Sequence, residues 1–158
     1  MELSYGYNSS NKERKAIGLI LKQELKKVGI DLKVIGVEWS VYSEKLRNGG
    51  FDLFFGGTVT TPSTPNFFGE FHSKSIGNGR NYASYNNTKA DSLIEAINKE
   101  LNLEAQKDLI YQFQEIIHRD LPYLYLYSPK ERVAYSAQLK NVNIYSLRPN
   151  FWASEIYW

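Results

Sequence analysis

Between Leu3 and Val37 the apolar period of this chain changes from two residues to about 3.6 and back to two, which restricts its fold more than any other feature. Leu3-Ser4-Tyr5-Gly6-Tyr7 alternates apolar and small residues like a strand, and Asn8-Ser9-Ser10-Asn11 offers several helix caps. Ile17, Ile20, Leu21, Leu25 and Val28 then repeat at helical spacing, with Lys15, Lys22, Lys26 and Lys27 on the wet side as a solvated face. Gly29 supplies the C-terminal stop. Ile30 to Val37 alternates again. A helix between two strands predicts a parallel β-α-β unit.

The pattern repeats once more. Trp39, Tyr42 and Leu46 line one side of a short helix, with Ser40 as an early cap, before the turn at Asn48-Gly49-Gly50. Phe51-Asp52-Leu53-Phe54-Phe55 is a short apolar run that fits a fully buried, central strand. Gly56 and Gly57 let the backbone leave the sheet, and Thr58, Thr60, Thr61, Ser63 and Thr64 follow, punctuated by Pro62 and Pro65. Strand ends that open into polar loops are where α/β folds place ligands, although turn residues cluster in ordinary connections too.

Downstream, Asn66 to Phe71 predicts one helical turn and residues 72 to 87 a long surface loop. Thr88 with Asp91 resembles a capping box, and Leu93, Ile94, Ile97 and Leu101 give the next helix its apolar face. Asn102 caps a further helix whose inner face is Leu109, Ile110, Phe113, Ile116 and Ile117, and which ends at Asp120-Leu121-Pro122. Tyr123 to Tyr127 alternates strictly as a strand, with Leu on one face and Tyr on the other. Short strands are expected at Arg132 to Tyr135 and Val142 to Leu147. The aromatic ending, Phe151 to Trp158, is expected to pack on another surface.

At 158 residues one domain with a real core is expected. The net charge of +2 gives no nucleic-acid or membrane-surface footprint, and no apolar run spans a bilayer. Without Cys, thiol catalysis, disulfides and cysteine-ligated zinc are excluded. Met1-Glu2-Leu3 opens straight into a strand-like segment, without the regions of a signal peptide. Neither His sits in the spacing of a metal site or a catalytic triad: His72 lies alone in a loop, and His118, near a helix C-terminus, has a structural reading. Neither a dinucleotide fingerprint nor a P-loop can be placed on Gly49-Gly50 or Gly56-Gly57, and no cofactor is implied. The glycosylation triplets at Asn8 and Asn86 are of a kind that arises by chance.

Four blocks then carry a resemblance. They are Lys26-Lys27-Val28-Gly29-Ile30 closing the first helix, Trp39-x-x-Tyr42 leading to Gly49-Gly50-Phe51-Asp52, Asn81-Tyr82-x-x-Tyr85-Asn86 before Asp91 and Leu93, and Gln114-x-Ile116-Ile117-x-x-Asp120-x-Pro122. In order and separation they resemble the C-terminal lobe of family 5 solute-binding proteins, which serve oligopeptide, dipeptide and nickel ABC importers. The terminal Ile156-Tyr157-Trp158 resembles the way such proteins finish. The resemblance implies an α/β lobe of the periplasmic-binding-protein type II fold, with a mixed, mostly parallel sheet flanked by helices. Residues 1–158 would form one lobe of a two-lobed receptor whose N-terminal lobe is absent, and which closes on its ligand by hinge motion.

The same resemblance implies an exported protein, periplasmic or at the cell surface, that binds without chemistry and delivers a solute to permease subunits. Peptide-binding members typically carry Gly-Trp-x-x-Asp-x-x-Asp-Pro after the central strand, where the Trp lines the pocket and the first Asp can hold a peptide amino terminus. Here Thr58 replaces the Trp, and Thr61 and Thr64 replace both acids. A hydroxyl cannot supply the charge-assisted bond that an ammonium favours. The nickel branch agrees at Thr58, Pro62 and Pro65, but Val59 and Ser63 stand where it has ligand-stacking aromatics, and His72 only approximates a metal-binding position. A peptide or peptide-like solute is therefore the leading ligand, with a metal chelate second. The ligand would touch Thr58, Val59, Thr60, Thr61, Ser63 and Thr64, and stack on Tyr82 or Tyr85, unless those tyrosines anchor their loop. Two rivals remain: an enzyme using His72 with Glu70 or Asp52, and a protein-interaction module using Tyr123, Tyr125 and Tyr127.

Overall fold

The computed structural model describes residues 1–57, 66–128, 130, 132–145 and 150–158. The chain divides into two units, one of residues 1–56 and 66–123, the other of residues 57–65 and 124–158.

The first unit opens with strand β1 (Glu2–Asn8), helix α1 (Lys12–Lys26), strand β2 (Asp31–Val37), helix α2 (Trp39–Arg47) and strand β3 (Leu53–Phe54). The expected parallel β-α-β-α-β order is observed, and the chain is α/β. β1 pairs in parallel with β2 along its whole length and with β3 at Tyr5 and Gly6. The order is β2-β1-β3, so β1 is the central strand of the described sheet and β3 its edge. This corrects the placing of residues 51–55 at the centre. Their apolar run predicted burial on both faces, whereas Leu53, Phe54 and Phe55 are half-buried and only two of them pair.

Asn11 caps α1, its side chain accepting from the Arg14 N–H, and Gly29 ends the helix at φ 80°, as expected. The inner face of α1 carries Gly18 and the half-buried Ile17, Leu21 and Leu25, of which Leu21 and Leu25 pack on the sheet cluster of Tyr5, Tyr7 and Leu32. Ile20 and Val28 have the right spacing but lie exposed. On α2, Tyr42 and Leu46 are buried while Trp39 is exposed, and Glu38 rather than Ser40 holds the cap position, without a side-chain bond.

Helix α3 (Phe68–Phe71) is the predicted helical turn, begun by Asn66, whose side chain accepts from the Phe68 N–H. Helices α4 (Thr88–Lys99) and α5 (Leu103–Asp120) form a second core of Ala90, Ile94, Ile97, Phe113, Ile116 and Ile117. Phe67 and Phe71 both pack on Phe113, at 4.7 and 5.5 Å between ring centroids. Asn102 caps α5 as expected, and Leu121 ends it in the left-handed conformation at φ 47°. Asn87, not Thr88, caps α4, because Asn87 accepts from Lys89 and Ala90 while Asp91 is drawn to Ser73. Leu101 falls beyond α4 and is exposed.

Residues 72–87 are more than a surface loop. They contain a 3-10 turn at Ser73–Ser75, and His72, Ser75 and Asn81 are buried. Asn81 staples the segment, donating to the carbonyls of His72 (3.1 Å) and Tyr85 (2.8 Å) and accepting from the Tyr85 N–H (2.9 Å).

In the second unit Lys140 and Tyr157 form an isolated antiparallel bridge, beside a 3-10 turn at Ala153–Glu155. Asn141 donates to the Glu155 carbonyl at 2.9 Å. The strands expected at 123–127, 132–135 and 142–147 do not form in the described residues, which carry no ladder there; Ser146 and Leu147 lie outside them. Leu124, Tyr125, Leu126 and Tyr127 are all exposed, so no apolar face is separated from a Tyr face. The aromatic ending is likewise exposed at Phe151, Trp152, Tyr157 and Trp158.

Candidate ligand site at the carboxyl edge of the sheet

Open α/β sheets bind ligands outside the carboxyl ends of their strands, where the strand order reverses, and in the order β2-β1-β3 that place lies between β1 and β3. Here that edge is built from Asn8, the start of α1, and Phe55, which follows β3. Asn8 is buried at the tip of β1 and accepts from Nη1 of Arg14 at 3.0 Å, while its amide donates to the Ser10 hydroxyl at 3.0 Å. Arg14 lies in the first turn of α1, and its guanidinium carbon sits 5.6 Å from the centroid of the Tyr42 ring. The Tyr42 hydroxyl donates to the Phe55 carbonyl at 3.1 Å, tying α2 to the exit of β3. Burial pushes the Tyr42 phenol above its ordinary range against the opposing pull of Arg14, so it stays a neutral donor.

This arrangement gathers a cation, an amide and hydroxyls that are held by backbone and by one another. It suits a ligand with carbonyl, amide and carboxylate groups and supplies no nucleophile activated by a base. Asn8 and Arg14 were not singled out as site residues by sequence reasoning. The available signal was the polar run Asn8-Ser9-Ser10-Asn11 at a strand's carboxyl end, which reads equally well as capping.

Thr58, Val59, Thr60, Thr61, Ser63 and Thr64 lie outside the described residues. The two expected tyrosines part company. Tyr82 packs edge-on to Phe54 of β3, 6.1 Å between centroids, and so stands beside this edge. Tyr85 points to the α4 and α5 ends, where its hydroxyl donates to Asp120 at 2.6 Å.

His72 is not alone in a loop. Its ring is buried on Phe68, 4.2 Å between centroids. Nδ1 accepts from the Lys74 N–H at 3.1 Å, which leaves the proton on Nε2, 3.4 Å from Glu95 Oε1. Asp91 stands 3.5 Å from Nδ1. Lys74 and then His72 hold the Glu95 carboxyl below its usual range. The suggested carboxylate partners are engaged elsewhere: Glu70 pairs with Arg80 at 2.8 Å, and Asp52 accepts from the Ser4 N–H and hydroxyl at 2.8 and 2.6 Å. Among the described residues no cluster of three His, Cys, Asp or Glu is arranged to hold a metal. His118 is exposed in the last turn of α5, where a cation suits the helix end.

The family model described as bacterial extracellular solute-binding proteins, family 5 Middle, matches residues 1–80. The chain belongs to this family. The oligopeptide-binding protein AppA of Bacillus subtilis is 32% identical to this family 5 chain over 157 residues, covering 96% of it and 28% of the relative. A probable di/tripeptide-binding protein 5 of Pseudomonas aeruginosa is 27% identical over 132 residues, covering 82% of this chain and 24% of that protein. Among solved structures, AppA of Bacillus subtilis in complex with a nonapeptide superposes with a TM-score of 0.82 at 28% identity, over 96% of this chain and 31% of that one. The family 5 chain thus spans less than a third of the length of these relatives. Its fold is that of the type II periplasmic binding proteins.

Proposed function

We propose that this chain is one lobe of the substrate-binding component of an ABC importer, capturing a peptide or peptide-like solute and passing it to membrane permease subunits. The observation that carries the reading is the 32% identity to an oligopeptide-binding protein along nearly the whole chain. The geometry is in keeping with it. The β1 and β3 carboxyl edge offers Arg14, Asn8 and Tyr82 as one wall, and a second lobe would supply the other, since a ligand of this size needs burial on both sides. On this reading the protein acts by binding alone, outside the cytoplasm, and the Thr58 to Thr64 loop contacts the peptide through hydroxyls and backbone. Recognition of the peptide's amino terminus is then neutral at Thr61, and the charged contact on this wall is Arg14.

Native mass spectrometry of the full-length receptor tests this, first as purified and then with mixed short peptides and with nickel plus free histidine. A retained or added peptide mass is expected. A nickel-histidine mass without peptide, or no captured mass at all, would overturn the reading.

A further inference from the structure

The outer face of α1 segregates charge in a way that the net charge of the chain conceals. Lys12, Lys15, Lys22 and Lys26 are exposed. With Leu19 they fall within about 80° of the helix circumference, along about 21 Å of its length. None of the four forms an ion pair among the described residues. Lys27 flanks them but is held by Glu24 at 2.7 Å. The acids of this helix, Glu13 and Glu24, lie off the stripe, and Arg14 turns inward to Asn8. Leu19, 51% exposed, sits inside the lysine row, whereas Ile20, 61% exposed, lies on the side of Glu13 and Glu24. A helix whose outer face needed only solvation would scatter its acids among these lysines and would not leave a large aliphatic side chain uncovered in their midst.

From this face we infer that α1 docks on an anionic lipid surface. Charge complementarity favours lipid over a protein partner. Protein interfaces are enriched in Arg and aromatic residues and depleted of Lys, and this stripe has five lysines at its widest, no Arg and no aromatic residue. Lysine stems reach along an apolar surface and place their ammonium groups at a headgroup layer, while Leu19 enters just beneath it. Each lysine near such a surface strengthens attachment about fivefold, and salt screens the attraction. Docking here is separate from ligand capture, because the opposite face of α1 covers the sheet.

The test is co-sedimentation of the full-length receptor, purified without any lipid anchor, with vesicles of pure phosphatidylcholine and with an equal mixture of phosphatidylglycerol and phosphatidylcholine. Binding to the mixed vesicles alone is expected, with loss at high salt. The triple variant Lys15→Gln, Lys22→Gln, Lys26→Gln should bind about 100-fold more weakly. Changing Lys89, Lys99 and Lys107 to Gln, an equal charge change on α4 and α5, should alter binding less than about twofold if the α1 stripe is the site. Equal binding to both vesicle types, no binding to either, or equal losses in the two triple variants would overturn the inference. So would capture by an acidic protein partner without vesicle binding. An unchanged thermal melt in the α1 variant separates lost docking from lost folding.

Discussion

The Tyr85 hydroxyl donates to Oδ2 of Asp120 across 2.6 Å, joining the loop before α4 to the last residue of α5. Asn87, which caps α4, donates to the same oxygen at 2.7 Å. These bonds, Tyr85 first and Asn87 second, hold the Asp120 carboxyl below its usual range. Burial, and then the bond to Asp120, push the Tyr85 phenol up. The native state therefore favours a charged carboxylate and a neutral phenol. The stability from Asp120 is present above the unfolded carboxylate value of about 4 and fades as pH falls below it; that from Tyr85 is present below about 10 and fades above. Tyr85→Phe should lower the melting temperature by a few degrees at neutral pH and weaken its dependence on pH at both ends. A pH series of thermal melts checks this, and parallel curves for the two proteins would show that the bond contributes nothing.

The separation of Tyr82 from Tyr85 gives a prediction about binding. Tyr82 stands against Phe54 at the exit of β3, whereas Tyr85 is committed to Asp120. On the proposed reading, in which a peptide lies along this edge, Tyr82→Ala should weaken binding about tenfold, or about 1.4 kcal/mol. Tyr85→Ala should leave the dissociation constant within about twofold while lowering stability. Calorimetric titration of a captured peptide into both variants distinguishes them, and a larger loss for Tyr85→Ala would reject the assignment.

The elements were legible where local chemistry determines them. Asn11 and Asn102 cap α1 and α5 because a short side-chain acceptor before an apolar-periodic run satisfies N–H groups whatever the tertiary context. The parallel pairing of β1 with β2 followed from the helix between them. What escaped depends on partners distant in the chain. Strand order is one case, since β3 reaches β1 through only Tyr5 and Gly6. Ile20, Val28 and Leu101 have the spacing of core residues, but spacing cannot say whether anything covers them. Asp91 sits where a capping box would want it, yet Ser73, eighteen positions earlier, takes both its oxygens. The burial of His72 likewise comes from Phe68 and α4. At the site, the polar run at Asn8 was visible, but the turning of Arg14 toward it was not.

The α4 and α5 core should show the sharpest contrast between buried and exposed apolar positions. Ile94 has no exposed surface, and Leu101 is 93% exposed although both fit one helical face. Ile94→Ala removes buried methyl groups and leaves a cavity, which should cost about 2–5 kcal/mol. Leu101→Ala should fall within about 0.5 kcal/mol of wild type. Urea unfolding measures both, and the Ile94 variant should move the midpoint without changing the slope. Similar shifts in the two variants would mean that Leu101 is covered.

Gly18 gives a case in which helix propensity and packing oppose each other. Ala in place of Gly in a helix interior gains up to about 1 kcal/mol. At Gly18, however, an added Cβ would lie 2.5 and 2.6 Å from Cε1 and Cδ1 of Tyr5 and 3.1 Å from Cγ1 of Val34. Tyr5 cannot yield easily, because it is buried in the central strand and its hydroxyl donates to the Arg14 carbonyl at 2.8 Å. Overpacking of this kind costs about 1–3 kcal/mol, so packing should win and Gly18→Ala should be destabilising. Because Tyr5 holds the turn of α1 that carries Arg14, displacing its ring should also weaken peptide binding. Urea unfolding and peptide titration of the one variant read both effects. A raised unfolding midpoint would show that α1 has room to move off β1, and that the close approach at Gly18 does not position Arg14.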